Sequence, residues 1–298
     1  LRDLDLTTLR LFVTVCETGN IARAGEKANI VGSAISKRLA QLEETVGTPL
    51  LMRKRHGVAP TEAGQALLEH ARSMLASAAR IERDMGAFAA GVRGQVRILA
   101  SASALAESLA DDVAAFLKHP KHRSIQVDLE ERVSPDIVRG IREGVASLGV
   151  CWDAADIGNL QSRPYRSDHL TMVVPHKHPL ASRKKVRFEE TLAWEHVSLP
   201  VNSAVQVLVH RAAAQLGSTI RQRIVVTNFE AALRVVRAGL AISLVPREVA
   251  EIYAQAYGLK IIPLAEPWAE RRFIVLYRDA DSLSAAAQLL VEHLASHH

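Results

Sequence analysis

Two groups of residues in this 298-residue sequence carry side chains placed for chemistry, and neither is a catalytic set. The first is cationic and lies early in the chain. Lys37-Arg38 is followed by Arg53-Lys54-Arg55, with Ser33, Ser36 and Gln41 at helical spacing around the first pair. Cationic heads beside small hydroxyl and amide groups suit phosphate oxygens and base edges. The second group is mostly uncharged: Ser101, Ser103, Ser134, Asn202, Ser203, Thr227 and Asn228, each where an apolar run gives way to a helix. Hydroxyls and free backbone N–H groups converging on one cleft suit a small anion, most simply a carboxylate. Each of these residues is also a good helix cap, and a cap needs no ligand. Trp152, just past a strand end, is either an apolar wall for such a cleft or core.

Other chemistry is missing. There is no G-x-S-x-G, no Walker loop and no G-x-G-x-x-G. Asp111-Asp112 and Glu130-Glu131 are sequence neighbours, so the members of each pair face apart and make no acid/base dyad. His176 and His178 flank Lys177 in a polar loop before Pro179, with no third ligand placed. Cys16 and Cys151 are too few for a disulfide scaffold. The expectation is a protein without catalytic residues, metal or cofactor. A net charge of +5 permits nucleic-acid binding without demanding it. Residues 1–62 hold nine Lys/Arg against seven Asp/Glu, so cations are concentrated locally rather than spread. A 48% hydrophobic and 23% charged composition is that of a globular protein. No apolar run approaches a membrane span and no signal-peptide core opens the chain, so the cytoplasm and no membrane partner are expected.

The elements that position the first group follow from periodicity. Leu4 to Thr18 reads as a helix with Leu6, Leu9, Val13 and Cys16 inward, ended by Gly19. Ile21 to Ala28 is a second helix, Ile30-Val31-Gly32 a turn, and Ser33 the N-cap of a third. In the third, Ile35, Leu39, Leu42 and Val46 form one buried face. Two helices across a tight turn, the second amphipathic and basic at its start, describe a helix-turn-helix, or more blandly a helical hairpin in a core. Gly47 to Pro60 then reads as a two-stranded wing tipped by Arg53-Lys54-Arg55-His56. Thr61 caps a helix from Glu62 to about Ala90, in which Gly64, Leu67, Ala71, Met74, Ala78, Ile81, Met85 and Phe88 recur with period 3.5. That is a coiled-coil seam, which predicts a dimer, and a helix docked on its own domain would show a wider stripe.

After Gly91-Val92-Arg93-Gly94, read as a flexible break, strands and helices alternate. Strands are expected at Val96–Ala100, Ile125–Glu130, Ala146–Val150, Leu170–Val174, Ile224–Val226, Ala241–Val245, Leu259–Leu264 and Arg272–Tyr277. Helices are expected at Leu105–Leu117, from Ser134-Pro135 to Glu143, at Ala204–Leu216, after a Thr227–Glu230 capping box, and from Leu283. Such alternation implies open, mostly parallel sheets in two lobes.

The sequence resembles the LysR-type transcriptional regulators of bacteria over its whole length. The resemblance is carried by Leu9-Arg10-Leu11-Phe12-Val13, Ala34-Ile35-Ser36-Lys37-Arg38, Gln41-Leu42-Glu43-Glu44, Gly47-Thr48-Pro49-Leu50-Leu51, Arg53 and Thr61-Glu62-Ala63-Gly64. It implies a winged helix-turn-helix domain (1–60), a linker and dimerisation helix (61–92), and an α/β effector domain (93–298) like a periplasmic binding protein. Lobe one would be about 93–162 with 267–298, and lobe two about 163–266. It further implies double-stranded DNA and a small-molecule effector as partners, a homodimer pairing into a homotetramer, and RNA polymerase as a further contact. The seam residues expected to dimerise are Leu67, Met74, Ile81, Met85 and Phe88. Val31 and Gly32 stand where the family usually has Ser-Gln, so base preference does not carry over. The rival reading is an α/β solute-binding or enzymatic domain with an N-terminal protein-interaction module. A third is a DNA-binding protein whose lobes only assemble.

Overall fold

The computed structural model describes residues 4–55, 57–89 and 94–296, without the side chains at 83, 84 and 87–89. It divides into two compact units, Leu1–Ala89 with Arg142–Val145, and Ala90–Ile141 with Ala146–His298.

The first unit is helical with a small hairpin. Helix α1 (Leu6–Thr18) is capped by Asp5, whose carboxylate accepts from the Thr7 and Thr8 N–H groups, and ends at Gly19 in the left-handed region. Leu6 is exposed, while Leu9, Leu11, Phe12, Val13 and Val15 are buried, so α1 is covered on more than one face instead of showing the single expected stripe. Cys16 is half-buried, and burial pushes its thiol up to about 11, as befits a structural group. Helix α2 (Ile21–Ala28) follows its Asn20 cap. Asn29 adopts the left-handed region at φ 53, and α3 (Gly32–Val46) starts one residue before the expected Ser33 cap. Val31 is the capping position and supplies no side-chain bond; its carbonyl accepts from Ala34 and Ile35. Ile35, Leu39 and Leu42 are buried in the shared core.

Strands β1 (Leu51–Lys54) and β2 (Gly57–Pro60) pair antiparallel as the wing. The Glu43 carboxylate in α3 accepts from the Leu50 and Leu51 N–H groups at 2.7 and 3.0 Å, which fixes where the wing begins. Thr61 caps α4 (Glu62–Ala89) by accepting from the Gly64 N–H. This helix does not present one seam along its length. Its first turns dock on the unit's own core through Leu67, Leu68, Ala71 and Leu75, whereas Met74, Ile81 and Met85 are exposed. Leu67 is therefore a core residue, and the expected side-chain role of Phe88 lies outside the described residues. So does the 90–93 part of the expected break, and Gly94 already opens a strand.

The second unit is built on β3 (Gly94–Ala100), β4 (Ile125–Glu131), β5 (Leu148–Trp152), β6 (Gln161–Pro175), β7 (Glu195–Ser198), β8 (Arg221–Val225), β9 (Ser243–Pro246), β10 (Leu259–Pro263) and β11 (Glu270–Tyr277). The main sheet runs β10-β6-β11-β5-β3-β4, with β9 also on β6. β3 is parallel to β4 and β5, and β7 to β8, but every ladder of β6 and β11 is antiparallel. The sheet is thus mixed, where mostly parallel sheets were expected. Helix–strand alternation gives no sign of strands joined without a crossover helix, and β10 reaches β11 through only a short 3-10 turn.

Strand β6 explains the two lobes. From Gln161 to His169 it pairs with β11; from Leu170 it pairs with β9, and from Thr171 with β10 as well. One continuous strand therefore leaves the first lobe and enters the second between His169 and Leu170, later than the expected 162/163 division. Each lobe has its own core: Val96, Ile98, Phe116, Val150, Phe273 and Leu290 among others in one, Leu170, Val174, Leu208, Leu233 and Ile262 in the other. A helix not anticipated from sequence, Arg247–Tyr257, follows β9 directly and ends at Gly258 in the left-handed region.

Candidate DNA-reading surface and ligand cleft

On α3 the exposed positions are Ser33, Ser36, Lys37, Arg38 and Gln41, opposite the buried Ile35, Leu39 and Leu42. Their setting differs. Arg38 turns back on α1, its guanidinium 3.3 Å from both the Asp5 carboxylate and the Thr8 hydroxyl. Lys37 forms no ion pair among the described residues. Arg53, Lys54 and Arg55 are exposed on the wing and likewise unpaired among the described residues; His56 lies outside them. The wing itself is anchored, because the Val58 N–H donates to the Gly19 carbonyl at 2.9 Å. Gly57 is required there: it has φ +141, and a Cβ would fall 2.1 Å from that same oxygen. Free cations are thus carried on a fixed hairpin beside an exposed helix face, an arrangement that neutralises phosphates.

In the second unit a small cleft is lined by Ser101, Ser103 and Ser134 from the first lobe and by Asn202, Ser203 and Thr227 from the second. Leu199, Val205 and Phe229 form its apolar floor, and Arg132 with Glu131 supplies the charge. The structure does not bring the other two expected residues into this lining. Asn228 spends its side-chain oxygen on the Ala231 N–H at 2.9 Å, and Trp152 packs on the second-lobe core. Asn228 alone caps the helix Phe229–Arg237, so the expected Thr227–Glu230 capping box is corrected: Glu230 pairs forward with Arg234. The helix Ser134–Glu143 begins at Ser134, with the Val133 carbonyl accepting from Asp136 and Ile137, so the Ser134 hydroxyl is not the cap.

The three other serines show a common pattern. Ser101 Oγ accepts from the Ala104 N–H at 3.5 Å, Ser203 Oγ from the Gln206 N–H at 3.3 Å, and Ser103 Oγ from Arg271 Nη1 at 3.2 Å. None donates a hydrogen bond among the described residues. A serine oxygen engaged as acceptor still has one O–H to give. The cleft therefore offers hydroxyl hydrogens that no bond among the described residues uses, on oxygens that each already accept one hydrogen bond, and Ser101 and Ser103 are only 4% and 3% exposed. Arg132 was not anticipated, although it stands at the carboxyl end of β4, the position used to nominate the serines.

Beneath the cleft lies a buried ionic group that the sequence gives no sign of. Arg271 Nε donates to Asp168 at 2.9 Å and Nη2 contacts the same carboxylate; Glu107 Oε1 is 3.7 Å from Nη2 and has no hydrogen-bond partner. Burial, then the Asp168 carboxylate, pushes the Glu107 carboxyl up to about 10. Glu107 sits in a π-helical turn, Leu105–Leu109, with non-helical φ −92 and ψ −108. Elsewhere Asp112, also buried, receives two hydrogen bonds of 2.8 Å from Arg166 and one from the Tyr165 hydroxyl, and burial raises the Tyr165 pKa.

Among the described residues no three His, Cys, Asp or Glu side chains gather as a metal site, and no helix is long and apolar enough to cross a membrane. His178 accepts from the Leu180 N–H and packs edge-on to Trp194.

A winged helix-turn-helix followed by a two-lobed unit with a polar cleft defines a ligand-responsive DNA-binding regulator. The family comparisons name it: the chain belongs to the LysR family of bacterial transcriptional regulators. Residues 6–65 match the family described as bacterial regulatory helix-turn-helix protein, lysR family, and residues 89–298 match the LysR substrate binding domain. The HTH-type transcriptional regulator YfeR of Shigella flexneri is 28% identical over 96% of this chain and 91% of its own. Full-length CbnR in complex with its target DNA has the same fold, with a TM-score of 0.66 at 23% identity over 99% of this chain and 100% of CbnR. The effector binding domain of QuiR, solved with shikimate, matches with a TM-score of 0.60 at 17% identity, covering 68% of this chain and 96% of that domain. Members of this family are transcriptional regulators and not enzymes, which sets aside the enzymatic rival.

Proposed function

We propose that this regulator binds promoter DNA in the cytoplasm as a homodimer that pairs into a homotetramer, and that a small organic acid in the interlobe cleft sets the geometry of that assembly. Ser33, Ser36, Lys37 and Gln41 would face the major groove, and Arg53, Lys54 and Arg55 the phosphates. Arg38 would act mainly by bracing α3 against α1. The exposed Met74, Ile81 and Met85 would meet a second copy of α4. Contact with RNA polymerase would transmit the change in DNA geometry.

The observation that carries the ligand reading is the set of serines around one cleft whose oxygens accept internal hydrogen bonds while their hydrogens stay unspent. Buried donors left without an acceptor cost free energy, and a carboxylate offers acceptors only. Shikimate, the carboxylate held by the QuiR domain, is a fitting first compound. A ligand shifts the assembly only if it binds one arrangement better than another. The test is a footprint of the full chain on DNA upstream of its own gene, at two salt concentrations, with and without shikimate and other small carboxylates. Protection of two related half-sites, altered in extent by one acid, supports the reading. A footprint and oligomer indifferent to every carboxylate would overturn the ligand part of it.

A further inference from the structure

The network under the cleft stands where the lobes join. Asp168 and Arg271 are register partners on β6 and β11, one step from His169 and Glu270, after which β6 passes into the second lobe. Glu107 reaches the same guanidinium from the π-helical turn, a backbone irregularity of a kind often found at functional sites. The next residue, Ser108, donates to Glu248 at 2.7 Å on the second-lobe helix Arg247–Tyr257. Ser103, about one turn back towards β3, is the one residue that belongs both to the network and to the cleft lining.

A buried arginine held by one carboxylate on a partner strand has little freedom to move. Asp168 is 4% exposed and Arg271 1% exposed. Two of the guanidinium's nitrogens are taken by Asp168, which leaves Nη1 directed at the Ser103 oxygen. An N–H arriving there occupies one lone pair of the hydroxyl and turns its O–H away from the guanidinium, leaving that hydrogen free to donate elsewhere.

We propose that Arg271 is a positioning residue for the ligand cleft: clamped by Asp168 between the two strands that join the lobes, it orients Ser103 as a hydrogen-bond donor to a ligand carboxylate. Glu107 is the neutral wall of this clamp and not a second counter-charge. Ligand affinity is thereby tied to the register of β6 and β11, so the acid is sensed at the junction of the lobes as well as at their surfaces. This rests on the reading of the cleft as a carboxylate site.

The test measures binding of shikimate and of acetate to the full chain by titration calorimetry, against sodium chloride at matched ionic strength. Ser103→Ala should lower affinity for either carboxylate about tenfold, the loss of one hydrogen bond to a charged group. Arg271→Lys keeps the charge and removes the reach to Ser103, and should lose a similar factor. Because Arg271 acts through Ser103, the double variant should lose about tenfold and not a hundredfold. Glu107→Gln, which keeps a neutral group of the same shape, should bind like the unaltered protein. If the unaltered chain binds but the two losses multiply, or Ser103→Ala binds normally, the positioning role is overturned while the carboxylate cleft stands. If the unaltered chain takes up neither compound, the cleft reading falls and the proposal with it. Should Arg271→Lys fail to fold, Ser103→Ala against Glu107→Gln still decides: equal affinities overturn the proposal.

Discussion

Gly64, in the first turn of α4, faces the Leu50 carbonyl oxygen so closely that a Cβ on it would sit 1.9 Å away. The same oxygen accepts the Thr61 N–H at 2.9 Å, so the entry to the wing and the start of the long helix share one acceptor. The obstacle is backbone, which has no rotamer to give. Gly64→Ala would stabilise an ordinary helix by about 1 kcal/mol. Here overpacking should outweigh that, lowering stability by about 2 kcal/mol in urea unfolding. A midpoint that rises would show that α4 can shift away from the wing.

Arg53 is exposed and unpaired among the described residues, so its charge is available to phosphates. Arg53→Ala should weaken binding to unrelated duplexes by a similar factor and lower the slope of log K against log salt by about 0.9. Fluorescence anisotropy at three salt concentrations measures both. Loss confined to one sequence would instead make Arg53 a reader of bases.

Met74→Asp with Ile81→Asp places charge on the exposed part of α4 and leaves its docked Leu67, Leu68 and Ala71 untouched. Sedimentation velocity should show a smaller oligomer while circular dichroism keeps the helix. An unchanged assembly would place the dimer contact elsewhere.

Glu107 gives a pH dependence of known sign. Its carboxyl ionises near 4.5 when free and is held up to about 10 in the fold. Between those values folding takes up a proton, so this group's contribution to stability is full below 4.5 and is lost as pH rises toward 10. Glu107→Gln should therefore be more stable than the unaltered protein at pH 8, with the difference shrinking toward pH 4.5. Urea unfolding at both pH values checks this; a difference that grows on acidification would mean Glu107 is ionised in the fold.

What the sequence revealed depended on the distance over which each signal acts. The helix-turn-helix was legible because Ile35, Leu39 and Leu42 repeat within one helix, and the wing because Gly47, Pro49, Gly57 and Pro60 punctuate it. The six cleft residues that the structure brings together were found by one local rule, the strand end before a helix. The same rule also nominated Asn228, whose oxygen is spent on a cap, since capping and ligand binding use the same chemistry. The split character of α4 was hidden, because Leu67 and Met74 look alike to a 3.5 period whether they meet a partner or their own domain. Arg271 and Asp168 are 103 residues apart and Glu107 lies in a helical turn of unusual width. No local pattern joins them.

Strand β6 passes without a break from one lobe to the other, and β11 takes up the first lobe again beside it. In terms of gene architecture the second lobe is an insertion into the first, with its entrance and exit side by side at His169 and Glu270. A recombination event that exchanged residues 170–269 for the matching segment of a relative would cross the chain at that one doorway, and would then have to keep the packing of Trp152 and the Ser108–Glu248 hydrogen bond between the lobes. It would carry across Asn202, Ser203 and Thr227, the second lobe's share of the cleft's polar lining, and leave the DNA-reading head as it was. New ligand preferences could in this way be acquired by a regulator without any change in the promoters it recognises.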